Sequence, residues 1–214
     1  MRLRSTEWIN LLAFSWFAVL ALSRRGLHAA RRRKVAAIGA AGVSVTLFVS
    51  LVLPLLTAPG SSITRDWIPL LLLPLFYLQG GQFVTRTDTD FEDRLERSDL
   101  RLVAPLLEWC LRSPFRDWIF TYLEIGYLSY YLALPLSLAA LHLEGKRSAA
   151  DLFWTVVLLG AYGSCSTLPF LNTRPPRVLG EQWSAALPRS KVRAFNLWIL
   201  RQGSIHANTC PSVH

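Results

Sequence analysis

The sequence is short of charge. Only 17% of its 214 residues are Asp, Glu, Lys or Arg, against about 25% in an ordinary soluble domain. Hydrophobic residues make up 52% and fall in long blocks. That pattern excludes a soluble globular domain and points to a multi-pass membrane protein of one-domain length. Acids are scarcer than bases, 14 Asp+Glu against 23 Lys+Arg, for a net charge of +9. In so apolar a chain the excess signals cytoplasmic loops and anionic head groups, and we read no nucleic-acid partner. Cysteine is sparse too. Cys110, Cys165 and Cys210 are odd in number and widely spaced, which excludes a disulfide scaffold and a zinc motif. Internal repeats and low-complexity tracts are absent. The basic start and first apolar run resemble a signal peptide, but a strongly basic segment follows in place of a small-residue cleavage site. We read that segment as retained.

Five apolar blocks remain. Residues 8–23 are uncharged for 16 positions, 35–64 for 30, 67–85 for 19 and 152–173 for 22, while 118–143 carries one charge, Glu124. The first is short of the ~20 residues needed to cross a bilayer, so it reads as a thin span or an interfacial helix. The second should end its helix near Pro59 and Gly60. Irregular backbone is not tolerated in lipid, so each spanning block should be helical. The expected fold is all-α, a multi-pass transmembrane helical bundle of four or five membrane helices and no sheet. Residues 1–64 form N-terminal membrane helices with a basic loop, and 65–214 form a second membrane region.

Residues 86–117 are of mixed charge. Phe91, Leu95, Leu102, Val103, Leu106, Leu107 and Cys110 recur at helical spacing, and Pro105 should open a second short helix. Amphipathic surface helices and a small soluble hairpin are equally good readings. The 24–34 segment holds Arg24, Arg25, Arg31, Arg32, Arg33 and Lys34 and no acid. The positive-inside rule places it in the cytoplasm, and four later spans return the chain to that side.

The chemistry concentrates after the fifth block. Arg174 and Arg177 bracket two prolines in "NTRPPR". Prolines stiffen the turn, so two guanidinium forks are held where they can grip an anion bidentately. The chain then reaches "NTCPSVH", in which Ser212 can hydrogen-bond an oxyanion and His214 can protonate a departing oxygen. The bland alternatives are that arginines merely flank a membrane helix and that Pro-Ser-x-His is a chance pattern. Arg189, Lys191, Arg193 and Arg201 accompany Phe195, Leu197, Trp198, Ile199 and Leu200, which reads as an interfacial helix facing anionic lipid in preference to direct substrate contact.

In the order and spacing of these motifs the chain resembles the type 2 phosphatidic acid phosphatase superfamily, and within it the branch that includes inositol-phosphorylceramide synthases. The family pattern is a basic clamp ending in Arg-Pro, then Pro-Ser-x-His, then a segment with Arg and His-x-x-x-Asp. The stretches "RDWIPLLLLPLFYLQGG" and "YLEIGYLSYYLALPL" are also similar to bacterial members. The resemblance implies that Arg174 and Arg177 bind a substrate phosphate, that Ser212 hydrogen-bonds it and that His214 is the general acid. It implies a lipid-linked phosphate substrate, a bacterial cell membrane as location, and chemistry through a phosphohistidine that needs no metal or other cofactor.

Two departures are visible. Thr167 stands where the family often has a lysine, seven residues before Arg174. The third segment is missing: four residues after His28, His142 and His206 stand Arg32, Lys146 and Cys210. The expectation is therefore the N-terminal part of a lipid phosphatase or phosphotransferase, inactive as it stands. The alternative is an inactive homologue with a structural or binding role in the membrane. The family usually places its site on the extracytoplasmic face, opposite to the positive-inside count. Glu124 should be either a structural hydrogen-bond partner of nearby tyrosines or a proton carrier. His142 and His206 read as a helix-end and a loop residue.

Overall fold

A computed structural model describes residues 3–56, 61–84, 89–171, 187–203 and 205. Among them the protein is all α-helical, and the helices are α1 (Ser5–Ser23), α2 (Ala29–Leu47), α3 (Leu53–Leu56), α4 (Ser61–Gly81), α5 (Thr89–Leu102), α6 (Ala104–Arg112), α7 (Arg116–Leu143), α8 (Ala150–Cys165) and α9 (Lys191–Gly203). Four helices are long and apolar enough to cross a membrane: Ser5–Ser23, Ala29–Leu55, Arg116–Leu143 and Arg147–Cys165. α4 is of similar length at 21 residues; it holds Pro69 and Pro74, with Arg65, Asp66 and Gln79 along it, and is not among those four.

Boundaries differ from the sequence reading where charges join helices. α1 has 19 residues, about 28 Å at 1.5 Å per residue, so the short first block is a full-length span candidate. α2 starts at Ala29, so Arg31, Arg32, Arg33 and Lys34 ride on a helix rather than a loop. A π turn over Phe48–Val52 precedes Pro54. A proline lacks the amide that would continue the ladder, and a π turn absorbs the mismatch. Nearby, the Ser50 and Thr46 hydroxyls bond back to the carbonyls of Thr46 and Gly42 at 2.6 and 2.8 Å. α4 begins six residues before Trp67, drawing Arg65 and Asp66 into the helix. α8 ends at Cys165, earlier than the apolar block, and passes into turns to Phe170. α5 and α6 are the expected short helices, with Pro105 in the first turn of α6.

Direction follows from which ends touch. Glu7 of α1 meets Arg65 of α4, Thr6 meets Asp151 of α8, and Trp154 meets Asp66. The N-termini of α1, α4 and α8 therefore share one end of the bundle. Val35, early in α2, meets Gln79, late in α4, so α2 runs the other way. His142, late in α7, lies beside Asp66, so α7 is also reversed. One end of the bundle thus carries residues 4–7, 65–66, 142–147 and 151. The opposite end carries the basic 24–34 turn, residues 82–84 and residues 166–171.

The core is an aromatic stack locked by close helix approach. Phe17 stacks on Phe76 at 4.5 Å between centroids, and Phe76 lies 4.1 Å from Tyr162. Between helices in lipid there is little hydrophobic driving force, so small residues that admit close contact matter most. A methyl group on Gly42 would stand 2.6 Å from the Phe14 ring, and one on Gly39 would stand 2.7 Å from Gln79 Nε2. Gln79, fully buried, uses that space to donate from Nε2 to the carbonyls of Phe14 and Val35 at 3.2 and 3.0 Å. Tyr162 donates its hydroxyl to Asn10 Oδ1 at 2.6 Å.

Gly42→Val is expected to destabilise the bundle by about 1–3 kcal/mol through overpacking. Gly160→Val, where the space beside the backbone is open, should cost far less. Thermal unfolding of both variants in detergent checks this. With Cys110, Cys165 and Cys210 replaced by serine, Gly26→Cys and Glu144→Cys should react with an impermeant thiol reagent from opposite sides of the membrane. Labelling of both from one side would contradict the helix order.

Candidate functional site

The candidate residues Arg174, Arg177, Ser212 and His214 lie outside the described residues, as do His206 and Asn208. What is described is the frame that flanks them. Leu168, just past α8, is fully buried. A methyl on Gly80 would stand 3.0 Å from its Cδ1. Ile205, just past α9, packs on the adjacent glycine, and a methyl on Gly81 would stand 2.5 Å from its Cγ2. Its amide donates to the Tyr77 hydroxyl at 3.5 Å. The segments that lead into the two motifs therefore leave from neighbouring points at the C-terminal end of α4.

Helix α9 lies between those two departures and is held by Glu124. Arg193 Nη1 is 3.1 Å from Glu124 Oε1, and the Asn196 amide donates to Glu124 Oε2. The Arg193 and Glu124 side chains are 16% and 17% exposed, so the pair is shielded and stronger than a surface bridge. On the other side of α9, Phe195 and Trp198 stack at 5.9 Å and remain exposed. Glu124 thus anchors an amphipathic helix, through partners that the sequence reading did not pair with it.

The same end holds an open cavity of about 440 Å³ lined by Ala30, Arg31, Lys34, Gly81, Gln82, Val84 and Ile205. Arg31 Nη1 donates to the carbonyls of Val84 and Gln82, which neutralises the negative end of α4. Arg32 donates from Nε to Leu27 O at 2.8 Å and from Nη2 to Arg25 O at 3.1 Å, closing the α1–α2 turn. Arg24 lies over the Phe170 ring at 5.3 Å. Among the described residues none of the six cations of this turn forms an ion pair with a carboxylate.

At the opposite end acids and bases meet. Asp66 is almost fully buried and takes Arg4 at 2.5 Å, His142 at 3.4 Å and Arg147 at 3.5 Å. Glu7 accepts two bonds from Arg65, at 2.7 and 2.8 Å, and one from the Arg4 amide at 2.7 Å. Asp151 accepts from the amides of Ser5 and Thr6 and from the Thr6 hydroxyl, at 3.2, 3.1 and 2.8 Å. It caps α1 from another helix, satisfying amides that a helix start leaves open. Pro69 interrupts the ladder of α4, and the Trp154 indole donates to the nearby Asp66 carbonyl at 2.6 Å. His142 is a helix-end residue, as read, but it sits half-buried against Asp66.

Sequence reasoning missed Asp66, Arg4, Glu7 and Asp151, whose partners lie up to 146 positions away. The one local signal was an Arg-Asp pair at the head of an apolar block. Arg31 and Lys34 were legible as charge but not as the lining of a cavity. No protein-family model, curated protein or solved structure matches the chain.

Removing one partner of a buried ion pair costs about 3–5 kcal/mol. Asp66→Asn, which leaves Arg4 and Arg147 facing a neutral amide, is expected to destabilise by that much. Asp117→Asn, at an exposed pair, should change stability by less than about 0.5 kcal/mol. Chemical unfolding in detergent compares them.

Proposed function

We propose that this chain is part of a membrane enzyme that removes or transfers a phosphate group on a lipid-linked substrate. Arg174 and Arg177 bind the phosphate, Ser212 hydrogen-bonds its oxygens and His214 protonates the leaving alcohol. The observation that carries the reading is the shared origin of the two motif segments on Gly80 and Gly81. Arg174 is six residues beyond Leu168, and Ser212 is seven beyond Ile205. Residues 166–170 are turns, so the first segment gains little length before Leu171, and seven extended residues from Ile205 reach at most about 25 Å; both segments start within reach of a single phosphate. Convergence matters because the clamp and the acid must act on one transition state. Charge grows on the phosphoryl oxygens while the proton moves to the departing oxygen.

The uncompensated cations at this end support the reading, since they draw anionic lipid head groups toward the face. By the positive-inside rule that face is cytoplasmic. The reading therefore departs from the side that the family resemblance implies, and the thiol-labelling experiment decides it. Glu124 has a supporting role here. It fixes α9, and through α9 the approach of the second motif, and it carries no proton in the scheme.

Turnover of a lipid phosphate by the protein in membranes tests the assignment. Arg174→Ala and His214→Ala should each lower it by roughly a hundredfold or more, the scale of losing a general acid or an oxyanion donor. Near-normal turnover in both variants would overturn the roles given to these residues.

A further inference from the structure

We infer that the cavity between the start of α2 and the end of α4 binds a phosphate group at the basic membrane face, with Arg31 and Lys34 as its ligands. This goes beyond the proposed reaction and needs none of its residues. Four observations converge. The cavity, about 440 Å³, is large enough for a phosphate head group, and its charged lining is cationic only. Lys34 lies one turn beyond Arg31 on the same helical face, and among the described residues its side chain makes no hydrogen bond or ion pair. Arg31 is fixed by the carbonyls of Gln82 and Val84 through a single nitrogen, Nη1. Its remaining guanidinium donors are left for a ligand in a position already ordered.

The fourth observation is the placement of charge on α2. Its first turn contains no acid, and Arg31, Arg32, Arg33 and Lys34 crowd its positive end. Cations at a helix N-terminus oppose the helix dipole, and anions there are favoured. At the other end of the bundle the protein offsets every such cost with Glu7, Asp66 and Asp151. Here none of its described carboxylates does so. An external anion in the cavity completes the balance, and at a membrane surface the abundant anion of the right size is phosphate. Arg31 also has a structural role at the end of α4, so Lys34 is the discriminating ligand.

The experiment uses the whole 214-residue chain in nanodiscs. Phosphatidylcholine discs doped with phosphatidic acid give the lipid arm, read as lipid retention by native mass spectrometry. Inorganic phosphate titrated onto protein in pure phosphatidylcholine discs gives the soluble arm, read as a shift in unfolding temperature. Lys34→Ala should weaken phosphatidic acid binding about fivefold, the loss of one interfacial cation, and Lys34→Arg should restore it. Arg31→Ala with Lys34→Ala should weaken binding at least as much again. Lys34 has no part in the proposed reaction, so a loss on Lys34→Ala separates this site from the proposed catalytic one. Binding in the lipid arm alone identifies a head-group site, and a response to inorganic phosphate as well identifies a site open to soluble phosphate. The control is Arg94→Ala with Arg101→Ala, which removes equal charge from a different groove, on α5. An equal loss in that control would overturn the inference, as would wild-type protein without preference for phosphatidic acid or inorganic phosphate. If Arg31→Ala unfolds the protein, Lys34→Ala alone decides.

Discussion

Asp66 is the constraint around which the bundle is arranged. It is a buried carboxylate at the head of α4, and it draws Arg4 ahead of α1, His142 from the end of α7 and Arg147 from the turn into α8. An isolated charge in so dry a place would be costly, so its partners must come to it, and they come from separate parts of the chain. Glu7 with Arg65, and Asp151 with the first amides of α1, extend the same knot. Once those helix heads are tied, the remaining contacts follow by register. Further along the bundle, Asn10 meets Tyr162, Phe14 meets Gly42, and, near the far end of α4, Gln79 bridges α1 and α2.

Charge is therefore distributed unequally between the two ends. The Asp66 end is nearly self-neutral and closed. The arginine end has cations whose described partners are carbonyls and an aromatic ring, which orient a guanidinium without cancelling its charge. Cations without a described carboxylate partner attract anionic lipid at a membrane surface. The same end is where the segments bearing Arg174 and Ser212 depart, from adjacent glycines of α4. Glycine at those two positions serves packing: Gly80 admits Leu168 and Gly81 admits Ile205, and a larger side chain at either would push a departing segment off the bundle.

Legibility in the sequence followed the range of the interaction. The apolar blocks report local solvation, residue by residue, so the helical class and the spanning helices could be read directly. The pair α5 and α6 was equally legible, because Pro105 and the apolar spacing are local signals. Helix ends were less so. α2 and α4 begin inside charged segments because Arg31 and Asp66 find partners on other helices, and no window of sequence contains those partners. Glu124 shows the limit well. Its place in an apolar block marked it as unusual, yet Arg193 and Asn196 lie about seventy residues away and could not be matched to it by pattern. The motif residues Arg174, Arg177, Ser212 and His214 were legible as chemistry alone.

If the two motifs serve one reaction as proposed, the position of α9 bears on how they could meet. A long loop free in solution would bring its ends together only at an entropic cost that rises with length. Here α9 takes up 13 residues of the connection as rigid helix. Glu124 holds it from α7, and Ile205 returns its end to α4. Much of the ordering is then supplied before any substrate arrives, by contacts that do not touch phosphate. Preorganisation of this kind lets charged groups act on a developing anion without reorganising at the moment of reaction. It also places a demand on Glu124 distinct from proton transfer. On the proposed reading Glu124 acts through the position of α9, by its contacts with Arg193 and Asn196.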